Sequence, residues 1–178
     1  ATAYFGMKSL TILSAIAVPA IAILGSTSAM MATSSAGGVQ GLMNIEPANK
    51  MALVTAVTLC VGSFISGGTA TPDFVRFSKN KKIAVSTTVI AFFIGNSLMF
   101  LFGAIGAMVT GNSDIADVMF SQGLVIPAIL VLGLNIWTTN DNAIYTAGLG
   151  LSNITKLPKK KMVIICGLIG TVGAIWLN

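Results

Sequence analysis

Five long apolar segments, separated by short polar connections, limit the structures that this chain can form. They cover residues of about 10–31, 51–77, 83–109, 118–151 and 162–178. A helix needs about 20 apolar residues to cross the hydrocarbon core of a bilayer, and each of the complete segments exceeds that length. A backbone inside lipid must satisfy its own hydrogen bonds, so helices are the expected structure. The sequence therefore predicts an all-α membrane protein.

Composition excludes most soluble alternatives. Hydrophobic residues make up 54% and charged residues 8% of the chain, against roughly 25% charged residues in ordinary soluble domains. The chain has no histidine, and its two cysteines lack zinc spacing, so they are interpreted as small core residues. An intramembrane enzyme therefore has little support. Because the chain opens without Met and closes inside an apolar segment, it is interpreted as a partial transmembrane transporter domain spanning residues 1–178.

Connections rich in basic residues alternate along the chain with connections that carry few or none, which places nine of the ten basic residues on one side of the predicted membrane. Lys8 precedes the first segment, and eight of the other nine basic residues lie in the connections at 76–82 and 156–161. The connection from Gly111 to Asp117 carries two aspartates and no basic residue. Cytoplasmic loops of membrane proteins carry an excess of Lys and Arg. These connections therefore predict a multi-pass protein whose first segment runs outward from the cytoplasm.

The second segment contains a run of small and polar residues. The run Gly62-Ser-Phe-Ile-Ser-Gly-Gly-Thr-Ala-Thr-Pro72 lies at membrane depth. Irregular backbone at that depth is tolerated where it is buried in protein or lines a cavity. We expect a helix break at residues 63–69, with Phe64 offering a flat apolar wall to a planar ligand. Close helix packing through small residues is the alternative.

The fourth segment contains a strip of neutral polar side chains. Asn135, Thr138, Thr139 and Asn142 are spaced i, i+3, i+4 and i+7, which places them on one face of a helix. Polar groups at membrane depth are expensive, so they usually have a function. The strip predicts a site for a hard monovalent cation or a small polar ligand.

Asp141 is the one charged residue in this stretch. It lies about 120° round the helix from Asn135, off the strip, and Tyr145 follows one turn later. The carboxylate fits three roles: a proton carrier, a remote neutraliser of a bound cation, or a structural hydrogen-bond acceptor. The structural role is favoured, and the other two stay open.

Four stretches of the chain resemble a known family of membrane proteins. They are Val61-Gly-Ser-Phe-Ile-Ser-Gly-Gly-Thr69, Asp73-Phe-Val-Arg-Phe77, Ala91-Phe-Phe-Ile-Gly-Asn-Ser-Leu-Met-Phe100 and Leu132-Gly-Leu-Asn-Ile-Trp-Thr-Thr-Asn-Asp-Asn-Ala143. They are similar to the bacterial nucleobase–cation symporters, the purine/cytosine permeases, and the resemblance covers essentially the whole chain. It implies the LeuT-type fold, with twelve transmembrane helices in two inverted five-helix repeats. This chain resembles helices five to nine, with helix six broken.

The resemblance also implies a substrate site for cytosine or a related nucleobase. Phe64 resembles the aromatic residue that stacks on the base. Ser63, Ser66 and the backbone through Gly67 resemble its polar contacts, and Asn140 resembles a side chain that hydrogen-bonds the base. A neutral base needs stacking and directional hydrogen bonds rather than a counter-charge.

The same resemblance implies a sodium site and a transport mechanism. Its ligands resemble the backbone carbonyl of Asn135 and the hydroxyls of Thr138 and Thr139, which are neutral oxygens suited to a hard cation. The implied function is sodium-coupled import of cytosine by alternating access across the bacterial inner membrane. Sodium is the coupling ion, no organic cofactor is expected, and the partners are the nucleobase and the lipid bilayer, without nucleic acid.

Two alternatives remain at this point. A proton-coupled purine or allantoin permease would share the fold, and a channel would also use a polar helix face. In the family, helices one and three supply further sodium carbonyls, a second aromatic residue and an amide. Neither helix is present in this chain, so we expect the chain alone to bind no cytosine measurably.

Overall fold

The structure, a computed structural model, describes residues 2–46 and 51–177, and these residues contain helices and turns without a strand. The predicted all-α class is therefore confirmed for the described part of the chain. The last residue of the predicted fifth segment, Asn178, lies outside it. The α-helices are α1 (Thr2–Phe5), α2 (Met7–Ser35), α3 (Gly38–Met43), α4 (Leu53–Val75), α5 (Lys81–Ile90), α6 (Asn96–Thr110), α7 (Ile115–Ser121), α8 (Val125–Thr155) and α9 (Lys159–Leu177).

The chain divides into two compact units. The first unit combines Ala1–Ile23 with Leu130–Asn178, and the second comprises Leu24–Ile129. The first unit therefore holds α1, most of α8 and α9. The second holds α3 to α7, and α2 and α8 contribute to both.

Three helical stretches within the described residues are long and apolar enough to cross a membrane. They are Met7–Ser35, Leu53–Val75 and Lys81–Thr110, with 29, 23 and 30 residues. At 1.5 Å per residue even a helix of about 23 residues is roughly 34 Å long, which exceeds the ~30 Å hydrocarbon core. These helices identify a membrane protein. The helix α8 has 31 residues and carries the polar strip in its middle.

The predicted break in the second segment is wrong, because α4 is a continuous helix from Leu53 to Val75. Glycine lowers helix propensity by about 1 kcal/mol but does not force an interruption. Hydroxyl groups in this run donate to carbonyls of the preceding turn, at 2.8 Å from Thr69 to Ser66 and 2.7 Å from Thr71 to Gly67. Side chains that bond within the helix in this way are compatible with uninterrupted helical backbone.

The third segment forms one long helix that contains a local irregularity. A π-helical segment, Ala91–Gly95, joins α5 to α6. A π segment adds a residue to one helical turn and is frequent at functional sites. The helix begins after Asn80, whose side chain accepts a hydrogen bond from the Ile83 amide at 2.9 Å. It ends at Gly111, whose φ of 75° is a left-handed conformation that favours glycine.

The fourth predicted segment is divided in the structure. The short helix α7 ends at Ser121, and α8 begins at Val125. Gly123, with φ of 77°, lies in the turn between them. In the sequence this turn corresponds to Ser121-Gln122-Gly123, a polar interruption too short to have divided the predicted segment.

The core of the second unit forms where α2, α6 and α7 meet. Phe102 is 4% exposed, and Val118 and Met119 are fully buried. A hydrogen-bonded pair joins α2 to the end of α7: Ser28 Oγ donates to Gln122 Oε1 at 2.7 Å, and Gln122 Nε2 donates to the Ser28 carbonyl at 3.0 Å. This reciprocal pair fixes the corner that leads into α8.

Candidate substrate and cation site

The candidate residues on α4 face the long helix of the third segment. Phe64 is half-buried, and its ring centroid lies 5.8 Å from that of Phe100 at an interplanar angle of 73°. A Cβ placed on Gly67 would lie 3.4 Å from the Phe92 ring. The two candidates are three residues apart, so they share one face of α4. The structure brings them together beside two further phenylalanines.

The two candidate serines of α4 are exposed. Ser63 Oγ donates to the Cys60 carbonyl at 2.9 Å, which leaves the lone pairs of its oxygen able to accept a hydrogen bond. The carbonyl of Ser66 accepts from Thr69 Oγ1. Because the helix is continuous here, the hydroxyls and not an opened backbone are the polar groups that α4 presents.

The candidate cation ligands lie together on α8. Thr138 Oγ1 is 2.8 Å from the Leu134 carbonyl and 3.1 Å from the Asn135 carbonyl. Hard cations contact oxygen ligands at about 2.0–2.6 Å in proteins, so a single cation could contact two oxygens at this spacing. Asn135 and Thr139 are exposed on the same side. The i, i+3, i+4 spacing predicted that these oxygens share one helix face, and they are adjacent in the structure.

Asn140 points away from this strip toward α9. It lines a groove of about 480 Å³ with residues of the two helices, namely Ala143, Ile144, Cys166, Gly167, Gly170, Thr171, Ala174 and Ile175. The groove is mostly apolar, with Asn140 and Thr171 as its hydrogen-bonding side chains. The polar stretch thus has two faces, one formed by oxygens and one formed by a single amide.

Asp141 lies on a third face of α8 and is 4% exposed. Its Oδ2 accepts a hydrogen bond from Trp137 Nε1 at 3.1 Å. This contact agrees with the structural role that the sequence favoured. Sequence reasoning missed Trp137 as the donor, although its i, i+4 spacing to Asp141 was a readable signal.

The candidate residues fall into both compact units. Phe64, Ser63, Ser66 and Gly67 belong to the second unit, whereas the polar residues of α8 belong to the first. Within the second unit, Phe64 and Gly67 share one face of α4. Within the first, Asn135, Thr138 and Thr139 share one side of α8, and Asn140 lies on a different face.

These long apolar helices, with polar side chains grouped at mid-helix, define a polytopic α-helical membrane protein. The whole chain, residues 1–178, matches the sequence model of a family described as permease for cytosine/purines, uracil, thiamine, allantoin. The chain belongs to this family, which confirms the resemblance found in the sequence.

Curated relatives of the chain include cytosine permeases of Escherichia coli. The protein of strain K12 is 56% identical over 176 residues, which covers 99% of this chain and 42% of the relative. The protein of Escherichia coli O157:H7 matches with the same identity and the same coverage. The chain therefore spans less than half the length of the curated relatives that it matches.

Proposed function

We propose that this chain is part of a secondary active transporter that imports cytosine or a closely related nucleobase across the bacterial inner membrane. The observation that carries the proposal is 56% identity over 99% of the chain to a cytosine permease. That match includes the α4 and α8 stretches that hold the candidate site. The membrane-crossing length of three helices supports the same location.

The substrate would bind against α4 and the amide of α8. Phe64 would stack on the planar base, with Ser63 and Ser66 as hydrogen-bonding partners and Gly67 allowing close approach. Asn140 offers both a donor and an acceptor, which matches the edge of a neutral nucleobase. Stacking on an aromatic side chain is worth about 1–3 kcal/mol per base, so Phe64 is the main contributor from α4.

Sodium would be the co-transported ion. The Asn135 carbonyl and Thr138 Oγ1, 3.1 Å apart, form two neighbouring ligands, and the exposed Thr139 hydroxyl adds a third. Neutral oxygens bind a monovalent cation without the charge that would hold it permanently. Residues outside this chain would complete the coordination.

The proposed mechanism is alternating access in a LeuT-type fold. Sodium bound to α8 would favour one state of the transporter, and the base would bind only when that state is populated. Sodium and cytosine transport would then be coupled, because bound sodium increases the fraction of transporter molecules in the state that binds cytosine. The missing helices one and three of the same transporter would supply the rest of both sites.

The test is uptake of labelled cytosine by the intact transporter at varied sodium and cytosine concentrations. Thr139→Ala removes one ion ligand, so the sodium concentration for half-maximal uptake should rise about tenfold, the effect of losing roughly one hydrogen-bond equivalent. Phe64→Leu should raise the half-saturating cytosine concentration by about tenfold or more.

Thr58→Ala and Phe5→Leu are the matched controls. Thr58 donates to the Val54 carbonyl within α4, and Phe5 is 72% exposed, so neither should change half-saturation. Uptake that is unaffected by sodium in the unaltered protein would reject the proposed coupling. Unchanged sodium dependence in Thr139→Ala would reject the ligand assignment alone.

A further inference from the structure

A row of three side chains on α8 connects this helix to α1 and α9. Trp137, Asp141 and Tyr145 are spaced four residues apart, so they lie one turn above another on the same face. Asp141 and Tyr145 are 4% and 1% exposed. Asp141 and Tyr145 are therefore packed within their unit, whereas the Trp137 side chain is 49% exposed and is held by the contacts of its indole N–H group.

The first contact of the row is a shared indole hydrogen. Trp137 Nε1 lies 3.1 Å from Asp141 Oδ2 and 3.2 Å from Thr2 Oγ1. One N–H group is thus placed between a carboxylate of its own helix and a hydroxyl of α1. A buried carboxylate is destabilised when it loses a hydrogen-bond donor, because its desolvation is then uncompensated. The contact with Asp141 therefore favours one orientation of the Trp137 indole.

The second contact is between an aromatic ring and an ammonium group. Lys159 Nζ lies 4.3 Å from the centroid of the Tyr145 ring, and Lys159 is the first residue of α9. The same Nζ would lie 3.3 Å from a Cβ on Gly6, whose φ is +92°. The ammonium group is therefore enclosed by the ring of α8 and the turn between α1 and α2, where a side chain at Gly6 would displace it.

The row lies between the two functional faces of the helix. At about 100° per residue, Asp141 is roughly 120° from Asn135 and roughly 100° from Asn140. We infer that Trp137, Asp141 and Tyr145 fix the rotation of α8 about its own axis. Asp141 is then a positioning residue, which acts on the cation and substrate groups through the orientation of the helix and touches neither ligand.

Small rotations are enough to matter. A side-chain oxygen about 4.5 Å from the helix axis moves by roughly 0.8 Å when the helix turns by about 10°. Functional groups need placement within about 0.5 Å. Loosening the row should therefore disturb the oxygen strip and Asn140 together, whereas removal of a single ligand disturbs one of them.

The direct test measures thiol labelling in the intact transporter, with every native cysteine, Cys60 and Cys166 among them, replaced by alanine. Thr139→Cys and Asn140→Cys serve as separate reporters of the two faces, and N-ethylmaleimide is the probe. Trp137→Phe and Asp141→Leu should each change the labelling rate at both reporters by about fivefold or more, the effect of a modest shift in a local equilibrium.

Asp141→Asn is the conservative variant, because its amide oxygen still accepts from Trp137 Nε1. It should leave both labelling rates within about twofold of the parent protein. Asn153→Ala is the control on the same helix, since Asn153 is exposed and lies outside the row. Labelling rates that are unchanged in both Trp137→Phe and Asp141→Leu would overturn the inference, as would an equal effect of Asp141→Asn. If Asp141→Leu fails to fold, Trp137→Phe tests the inference, because phenylalanine keeps an aromatic side chain at that position.

A second arm rests on the proposed function and measures cytosine uptake. Trp137→Phe should raise the half-saturating concentrations of both sodium and cytosine, by about tenfold each, because both faces move. Thr139→Ala should raise only the sodium value. If the unaltered protein proves to be independent of sodium, the proposed coupling fails, while the labelling rates still decide the positioning role.

Discussion

Neutral oxygens, an amide and a carboxylate occupy three different faces of α8. The oxygens of Asn135 and Thr138 lie 3.1 Å apart, Asn140 lines the groove toward α9, and Asp141 is buried against Trp137. If these neutral oxygens bind a cation, as proposed, a formal charge beside them would hold that cation more tightly and slow its release. Because Asp141 lies about 120° round the helix from Asn135, its carboxylate can accept a hydrogen bond from Trp137 without adding a charge to the exposed strip.

At the same scale, Gly148 allows α8 and α9 to approach closely. A Cβ placed there would lie 2.6 Å from Val163 Cγ2 and 3.1 Å from the Val163 Cα and backbone nitrogen. Gly148→Ala should therefore destabilise the intact protein by about 1–3 kcal/mol through overpacking. This exceeds the gain of up to about 1 kcal/mol from better helix propensity.

Gly150→Ala is the matched control for that prediction, because nothing lies within 4 Å of its Cβ position. It should be neutral or slightly stabilising. Thermal unfolding of the detergent-purified proteins measures both, and the Tm should fall by several degrees for Gly148→Ala only. Equal Tm values for the two variants would show that Val163 moves aside without cost.

The helices themselves show how far the sequence predicts this structure. Apolar length predicted helices at α2, α4 and α9 because lipid leaves the backbone few alternatives. The same reasoning failed for the middle of α4, where Gly67 and its neighbours suggested a break. Glycine permits a break, but hydroxyls that bond to the preceding turn, such as Thr71 to Gly67, fit a continuous helix equally well. Composition does not distinguish these two outcomes.

The π segment at Ala91–Gly95 was equally invisible in the sequence, because one extra residue in a turn leaves hydropathy unchanged. It yields a prediction at the scale of the helix. Deleting Ile94, which is 62% exposed, should remove the extra residue and leave α6 in its present orientation. Phe102 and Gly106 would then keep their contacts in the core of the second unit.

Deleting Leu101 is the matched control, since it is 53% exposed but lies in regular α-helix. That deletion turns the following residues by about 100° relative to the preceding ones. Phe102 would leave its site, a loss of roughly 3–5 kcal/mol. Size-exclusion chromatography of the intact protein should show a folded peak after deletion of Ile94 and aggregate after deletion of Leu101. Aggregation of both proteins would contradict the prediction.

Across the whole molecule, apolar surface dominates the exterior. The helices α4 and α5 have no buried residue, and Leu53 and Trp176 are 79% and 86% exposed. Patches of this extent mark surfaces that lipid or other protein segments cover. Burial within this chain therefore could not be predicted from hydrophobicity, which reports contact with the membrane as readily as contact with a core.

The charged connections predict how the chain crosses the membrane. Lys81–Thr110 is one helical stretch of 30 residues, about 45 Å long, which is long enough to place its ends on opposite sides of a ~30 Å core. Ser78 precedes this helix among basic residues, and Ser113 follows it among acidic ones. Pro158, within the other lysine cluster, should lie on the side of Ser78.

Single cysteines at Ser78, Ser113 and Pro158 test this arrangement in the intact protein, after replacement of every native cysteine, including Cys60 and Cys166, by alanine. A membrane-impermeant maleimide added to whole cells should label Ser113→Cys. Ser78→Cys and Pro158→Cys should react only after the membrane is opened, because the positive-inside rule predicts that connections with four basic residues each lie in the cytoplasm. Labelling of Ser78→Cys from outside would reverse the orientation. Labelling of Pro158→Cys and Ser113→Cys from the same side would mean that α8 does not cross the membrane.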